Sequence, residues 1–242
     1  HGVRIMYRHG GGENRYHSAL MVEAAGCQMK VILFGASGMV GQGVLRECLR
    51  DPDVEEVLVV VRNRIRRQHA KLREILHEDF LDFSTIETRL AGYDACLFCL
   101  GVSSVGLDEA RYREITYDIT MAAAQVLARL NPAMTFIYVS GSGTDSSEQG
   151  RLMWARIKGK TENDLLKLPF KAAYMFRPAG VQPLHGIQSK TRWVNTLYRY
   201  ARPVLGWLRR IAPGAMTTTE QLGRAMLKVA KHGYPQPVLE SR

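Results

Sequence analysis

Residues 31–41 read Val-Ile-Leu-Phe-Gly-Ala-Ser-Gly-Met-Val-Gly, a short apolar run ending in a Gly-x-x-Gly-x-x-Gly turn. The run Val31–Phe34 has the β-branched and aromatic character of a parallel strand buried on both faces. The turn brings Gly35, Gly38 and Gly41 to the start of a helix, predicted over Val40–Arg50 and stopped by Asp51-Pro52. A second apolar strand follows at Glu56–Val61. This strand–turn–helix–strand context is the one in which such glycines hold a pyrophosphate against backbone N–H groups at a helix N-terminus. Ser37, Met39 and Val40 belong to the same turn and are candidate cofactor contacts with the three glycines. The alternative is a tight turn that binds nothing.

The alternation continues through a third edge near Lys71–Leu76, the turn His77-Glu78-Asp79-Phe80, a helix over Phe83–Leu90 and a strand over Ala95–Leu100. A long helix is expected over Asp108–Leu130, then a strand at Thr135–Val139, a helix over Gly150–Leu168 and a sixth strand at Ala172–Phe176. Strands separated by helices predict an α/β fold, a doubly wound parallel sheet (Rossmann type) with helices on both faces. Its ligands are expected beyond the strand C-termini. Residues 29–181 form the expected nucleotide-binding core, 182–216 a small substrate-side subdomain, and 217–242 a closing helix (Thr219–Gly233) and tail. Residues 1–28, with poor periodicity and a Gly10-Gly11-Gly12 run, read as a leader or upstream extension.

The second strand ends in Arg62, with Arg64 just behind it. A carboxylate there would accept from the ribose hydroxyls of NAD and repel a 2′-phosphate, whereas a guanidinium binds that phosphate bidentately. The expected cofactor is therefore NADP(H) in preference to NAD(H), the alternative being that Arg62 opens a solvated basic loop. Asp79 and Phe80, where the third strand ends, are candidates for the adenine end. Leu100, Gly101 and Val102 are candidates for the nicotinamide side.

The net charge of +10 raises nucleic acid or an anionic surface as a partner. The charge is dispersed apart from two arginine clusters, and Pro203 interrupts any amphipathic helix in the second, which argues against both. No run of about 18 apolar residues exists, so no membrane span is expected. Four scattered cysteines do not make a disulfide framework. Cys96 and Cys99 sit three apart on one strand and so point to opposite faces, which argues against a shared metal or bridge. Reduced thiols predict a cytoplasmic protein. His69, His77 and His232 lack ligand spacing, and no metal is expected. Tyr138 and Tyr174, inside strands, read as core, and His185 as a loop residue.

Gly-Ala-Ser-Gly-Met-Val-Gly (35–41), Asp79-Phe80, Gly92-Tyr93-Asp94, Cys-Leu-Gly (99–101), Phe-Ile-Tyr-Val-Ser-Gly (136–141), Lys158-Gly159 and Phe-Arg-Pro (176–178) together resemble the short-chain dehydrogenase/reductase superfamily. Within it the chain is most similar to the atypical branch: the Tat-interacting-protein-like oxidoreductases, the NAD-dependent epimerase/dehydratase group and the NmrA-like group. The resemblance spans residues 29–235 and implies a Ser–Tyr–Lys arrangement in which lysine holds the nicotinamide ribose, tyrosine moves a proton and serine orients the substrate oxygen. Lys158 falls on the lysine position and Pro178 on a segment that lies along the nicotinamide. Four residues before Lys158, on the same helix face, stands Trp154 instead of tyrosine. An indole N–H donates a hydrogen bond but is no proton donor at neutral pH. Ser140 and Ser142 are both candidates for the serine. The resemblance thus implies either an oxidoreductase or epimerase-like enzyme of altered proton transfer, acting on an unidentified small molecule, or a cofactor-sensing regulator or scaffold with a protein partner. Its long helices are compatible with a homodimer.

Overall fold

The computed structural model describes residues 28–184 and 217–240. The predicted leader, the substrate-side subdomain apart from its first residues, and His185 lie outside the described residues. Seven strands form one parallel sheet: β1 (Met29–Phe34), β2 (Val54–Val61), β3 (Leu72–Leu76), β4 (Ala95–Phe98), β5 (Thr135–Val139), β6 (Ala172–Arg177) and β9 (Val238–Glu240). Their order is β3-β2-β1-β4-β5-β6-β9, so the chain winds outward from β1 in both directions. β7 (Val181–Gln182) and β8 (Thr217–Thr218) pair separately as a two-stranded ribbon. Among the described residues the α-helices are α1 (Met39–Arg50), α2 (Glu109–Leu130), α3 (Met153–Leu165) and α4 (Thr219–His232). A doubly wound parallel fold is what the alternation predicts.

The strands read as continuous apolar runs because both faces are covered. On one face, Val31, Leu33, Val57, Val59 and Leu97 pack with Val44, Leu45 and Cys48 of α1 and Leu222, Met226 and Leu227 of α4. On the other, Ile32, Phe34, Phe98, Phe136 and Met175 pack with Ala123, Ala124 and Leu127 of α2 and Leu165 of α3. Cys96 belongs to the second core and Cys99 packs on the first, as strand alternation requires. Tyr138 and Tyr174 are buried.

α1 and α4 approach closely. A Cβ at Gly43 would sit 2.4 Å from Thr219 Cβ, and one at Gly223 would sit 3.2 Å from the Val44 backbone. α4 begins in a capping box, with Thr218 and Gln221 satisfying each other's backbone N–H groups. Lys231 near its end donates to Asp51 and Asp53, each at 2.6 Å, pinning the helix to the α1–β2 turn.

Three local expectations change. The segment 84–90 is a 3₁₀ turn and not an α-helix. α2 contains a π-helical turn at Glu114–Asp118. Residues 238–240, read from sequence as tail, add the seventh strand beside β6. Among the described residues no helix is long and apolar enough to cross a membrane.

Candidate cofactor cleft and the neighbouring lysine helix

The carboxyl ends of β1, β2 and β4 open into a cleft of about 360 Å³. Its glycine wall is dictated by sterics. Gly35 has φ +79°, and a Cβ there would lie 2.6 Å from the Cys99 carbonyl and the Leu100 nitrogen. A Cβ at Gly41 would lie 2.0 Å from the Gly35 oxygen. Only glycine lets the turn nest against the end of β4 while α1 starts directly above it. Gly38 N–H donates to the Gly35 oxygen at 2.9 Å and Gly38 caps α1 without a side-chain acceptor. The first turn of α1 carries no acidic residue. Its N–H groups, those of Met39 and Val40 included, are therefore offered to an anion. This cradle suits a pyrophosphate.

Gly35, Ser37, Gly38, Arg62, Asp79, Phe80, Leu100, Gly101 and Val102 all line this one cleft, gathered from four separate stretches of chain. Gly41 is buried beneath it and Val40 packs on the core. Phe80 is itself a core side chain, edge-on to Phe34 and Phe83, so it offers the cleft only its margin and backbone. The Asp79 carboxylate accepts from Leu81 N–H at 2.9 Å, which steadies the rim. Arg64 is not brought here. It lines a separate depression with Arg66, Arg67 and His69, because the chain turns away after Arg62.

Sequence reading missed two cleft residues. Arg111 and Glu114 of α2 form a wall of the cleft and pair with each other at 2.6 Å. The π-helical turn starts at Glu114, and with it Ile115 joins the same wall. Such turns re-aim side chains within a helix and leave no composition signal.

The second group lies along the same sheet edge, at the ends of β5 and β6. β5 is two strands from β1, roughly 10 Å across the sheet. Lys158 on α3 donates to the Ser140 carbonyl. Enclosure of its ammonium lowers its pKa to about 8, opposed by the nearby Glu162 carboxylate. Glu162 is buried and accepts from Arg177 Nε at 3.1 Å. Gly159 is required beside Lys158: a Cβ there would lie 1.8 Å from the Asp145 carbonyl oxygen. The Asp145 carboxylate in turn organises its loop by accepting from Ser147 and from Gly150 N–H.

The two candidate serines separate. Ser140 is buried and its hydroxyl donates to the Phe176 carbonyl at 3.2 Å, tying β5 to β6. This hydrogen bond makes Ser140 a strand-to-strand tie. Ser142 is exposed, and its N–H donates to the Pro178 carbonyl at 2.9 Å, which brings Pro178 to the same edge. The tip of the Trp154 indole packs over Gly143, 3.2 Å from where a Cβ would stand. Trp154, Lys158, Ser142 and Pro178 are thus neighbours.

The NAD(P)H-binding family model matches residues 35–167, the stretch from the glycine turn through α3. The chain belongs to this NAD(P)H-binding family. Among curated relatives, the FMP52 protein of Eremothecium gossypii, named as mitochondrial, is 28% identical over 152 residues, covering 62% of this chain and 65% of that protein. The HTATIP2 protein of Rattus norvegicus is 23% identical, covering 61% of each chain. The match thus spans just under two thirds of these relatives' own length. Among solved structures, the Bordetella bronchiseptica enzyme WbmF in complex with NAD+ superposes with TM-score 0.65 at 16% identity, over 89% of this chain and 73% of that one. A short-chain dehydrogenase family protein from Francisella tularensis gives 0.64 at 11% identity, over 88% and 96%. These structures share the doubly wound, NAD(P)-binding type of fold with this chain. The cytoplasmic location expected from the free thiols does not stand, because the FMP52 relatives are named mitochondrial. Burial keeps these thiols protonated: it pushes the pKa of Cys48, Cys96 and Cys99 up, so their reduced state carries no information on compartment.

Proposed function

We propose that this protein is an NADP(H)-dependent oxidoreductase of altered proton transfer. The observation that carries the reading is Arg62: it lines the glycine cleft at the end of β2 and, among the described residues, its side chain has no carboxylate partner. A 2′-phosphate supplies the missing counter-charge. In this reading α1's N-terminal N–H groups hold the pyrophosphate, the Asp79–Phe80 rim borders the adenine, and Leu100–Val102 follow the dinucleotide toward Lys158. The bound cofactor would supply hydride. Lys158, charged below its pKa of about 8, donates to the ribose hydroxyls. Its Ser140 carbonyl contact holds the ammonium at the end of β5.

Trp154 takes the place at which the superfamily carries its proton-transferring tyrosine. The indole shields the lysine and donates at most one hydrogen bond. Ser142, exposed beside it, is the hydroxyl left to orient a substrate oxygen, with water as the proton source. A small carbonyl compound is the substrate class. The same tryptophan supports a second reading, a sensor that binds NADP(H) without turnover and changes its affinity for a protein partner.

Titration with NADPH and NADH, followed by nicotinamide fluorescence, tests the reading. Saturable binding at least about tenfold tighter for NADPH is expected, an arginine–phosphate contact being worth upward of 1.4 kcal/mol. Equal or NADH-favouring affinity refutes it. A panel of carbonyl substrates then separates turnover from sensing.

A further inference from the structure

Arg62 leaves three arginines behind it that the cofactor reading does not use. Arg64, Arg66 and Arg67, with Gln68 and His69, line a depression of about 700 Å³ beside β3. Several arginines elsewhere meet acids: Arg129 meets Glu87, Arg156 meets Glu109, and Arg177 meets Glu162. Among the described residues, none pairs with the side chains of Arg64, Arg66 or Arg67. One acid, Glu74, stands in the depression, and its Oε2 accepts from the Ile65 backbone N–H at 2.7 Å. That carboxylate shapes the loop, offsets one of the three positive charges and forms no ion pair with the guanidinium groups.

The loop is held in place. Ile65 packs on the core under α1, and Arg67 N–H closes a tight turn on the Ile65 carbonyl at 2.6 Å. His69 Nδ1 accepts from Lys71 N–H at 3.2 Å, which puts the ring proton on Nε2 and makes that edge a donor. The depression is thus donor-rich on a fixed backbone, so little ordering opposes an anion.

We propose that this depression is a second anion site, distinct from the cofactor cleft, for a compact ligand bearing several clustered phosphates. Three arginines within four residues line one depression, which suits phosphates packed on a small scaffold. A single-stranded nucleic acid would need stacking platforms along an extended groove, and no Phe, Tyr or Trp lines this one. The shared chemistry is a multiply phosphorylated group, free in solution or on a lipid head.

The test titrates inorganic tripolyphosphate into the full chain carrying Arg62→Gln, by calorimetry. That background removes the cleft arginine, and adding Gly38→Ala to it closes the glycine cradle to phosphate, so binding reports the depression alone. Saturable binding is expected. The further pair Arg66→Gln, Arg67→Gln should weaken it at least about tenfold, and Arg66→Lys, Arg67→Lys should weaken it less. In the Arg62-containing protein the same pair should leave NADPH affinity within about twofold, the two sites sharing no residue. Circular dichroism melting verifies folding. Absence of saturable binding, or binding indifferent to the pair, overturns the proposal. Co-sedimentation with vesicles containing phosphatidylinositol 4,5-bisphosphate, lost in the pair, assigns the phosphates to a lipid head. Binding of tripolyphosphate without co-sedimentation assigns them to a soluble ligand.

Discussion

Gly41→Ala and Gly38→Ala should separate what the glycine turn does for the fold from what it does for a ligand. At Gly41 the new methyl would stand 2.0 Å from the Gly35 carbonyl oxygen and 2.6 Å from its carbon, both backbone atoms. Ordinary carbon–oxygen contacts lie beyond 3 Å, so α1 or the turn must move by more than an ångström. Overpacking of this sort costs about 1–3 kcal/mol, and here the upper end applies because no flexible side chain can yield. For a domain of this size, about 3 kcal/mol lowers Tm by roughly 6–12 °C. At Gly38 the methyl would meet only the Gly35 oxygen, at 3.3 Å, and the backbone (φ −81°, ψ 167°) is open to any residue. A small loss of capping is offset by the stiffer unfolded chain, so Tm should move by no more than about 2 °C. Gly38 also lines the cleft, where its methyl would occupy the space an approaching phosphate needs. NADPH affinity should fall at least about tenfold, or 1.4 kcal/mol. Differential scanning calorimetry and fluorescence titration read the two effects. An unchanged Tm for Gly41→Ala would refute the close approach. Full NADPH affinity in a folded Gly38→Ala would show that no phosphate docks on this turn.

Arg62→Glu should reverse cofactor preference, with NADPH affinity reduced at least about tenfold and NADH affinity retained, since the carboxylate repels a 2′-phosphate and accepts from ribose. NADPH affinity should be level below about pH 7 and weaken as pH rises through about 8, because the enclosed Lys158 ammonium loses its proton there; Lys158→Arg should remove that limb from a pH series of titrations. The sign for stability is also set: an unfolded lysine stays charged to higher pH, so between about 8 and 10.5 the unfolded chain binds more protons and Lys158's contribution to stability rises with pH. Trp154→Tyr should create or raise NADPH-dependent reduction of a carbonyl panel, and NADPH binding without any gain would favour the sensing reading. Glu162→Gln should destabilise by about 3 kcal/mol in thermal or urea unfolding, by leaving Arg177, buried against it, with the exposed Glu240 at 3.3 Å as its one acid partner among the described residues.

Much of the cofactor cleft was legible because it rests on local sterics. Gly35, Gly38 and Gly41 follow from what a turn between a buried strand and a helix permits. Asp79, Phe80 and Gly101 follow from where neighbouring strands end. The lysine helix was legible only by resemblance, since a lysine on a helix is ordinarily a solvated residue. Ser140 and Ser142 could not be told apart, because which hydroxyl is consumed depends on β6 lying beside β5. Arg111 and Glu114 were missed because a π-helical turn at Glu114 has no sequence period of its own.

By itself the sequence determined the parallel, doubly wound architecture, the glycine cradle at the head of α1, and the opposite facing of Cys96 and Cys99. These depend on contacts within a few residues: side-chain alternation, φ/ψ limits and the stops at Pro and Gly. Only the tertiary structure decided that Arg62 lines the cleft while Arg64 lines a neighbouring depression, that residues 238–240 extend the sheet, and that Lys158 sits enclosed enough for its pKa to fall to about 8. Those outcomes turn on which distant segments meet and how much water they exclude, and neither quantity is a property of any local stretch of chain.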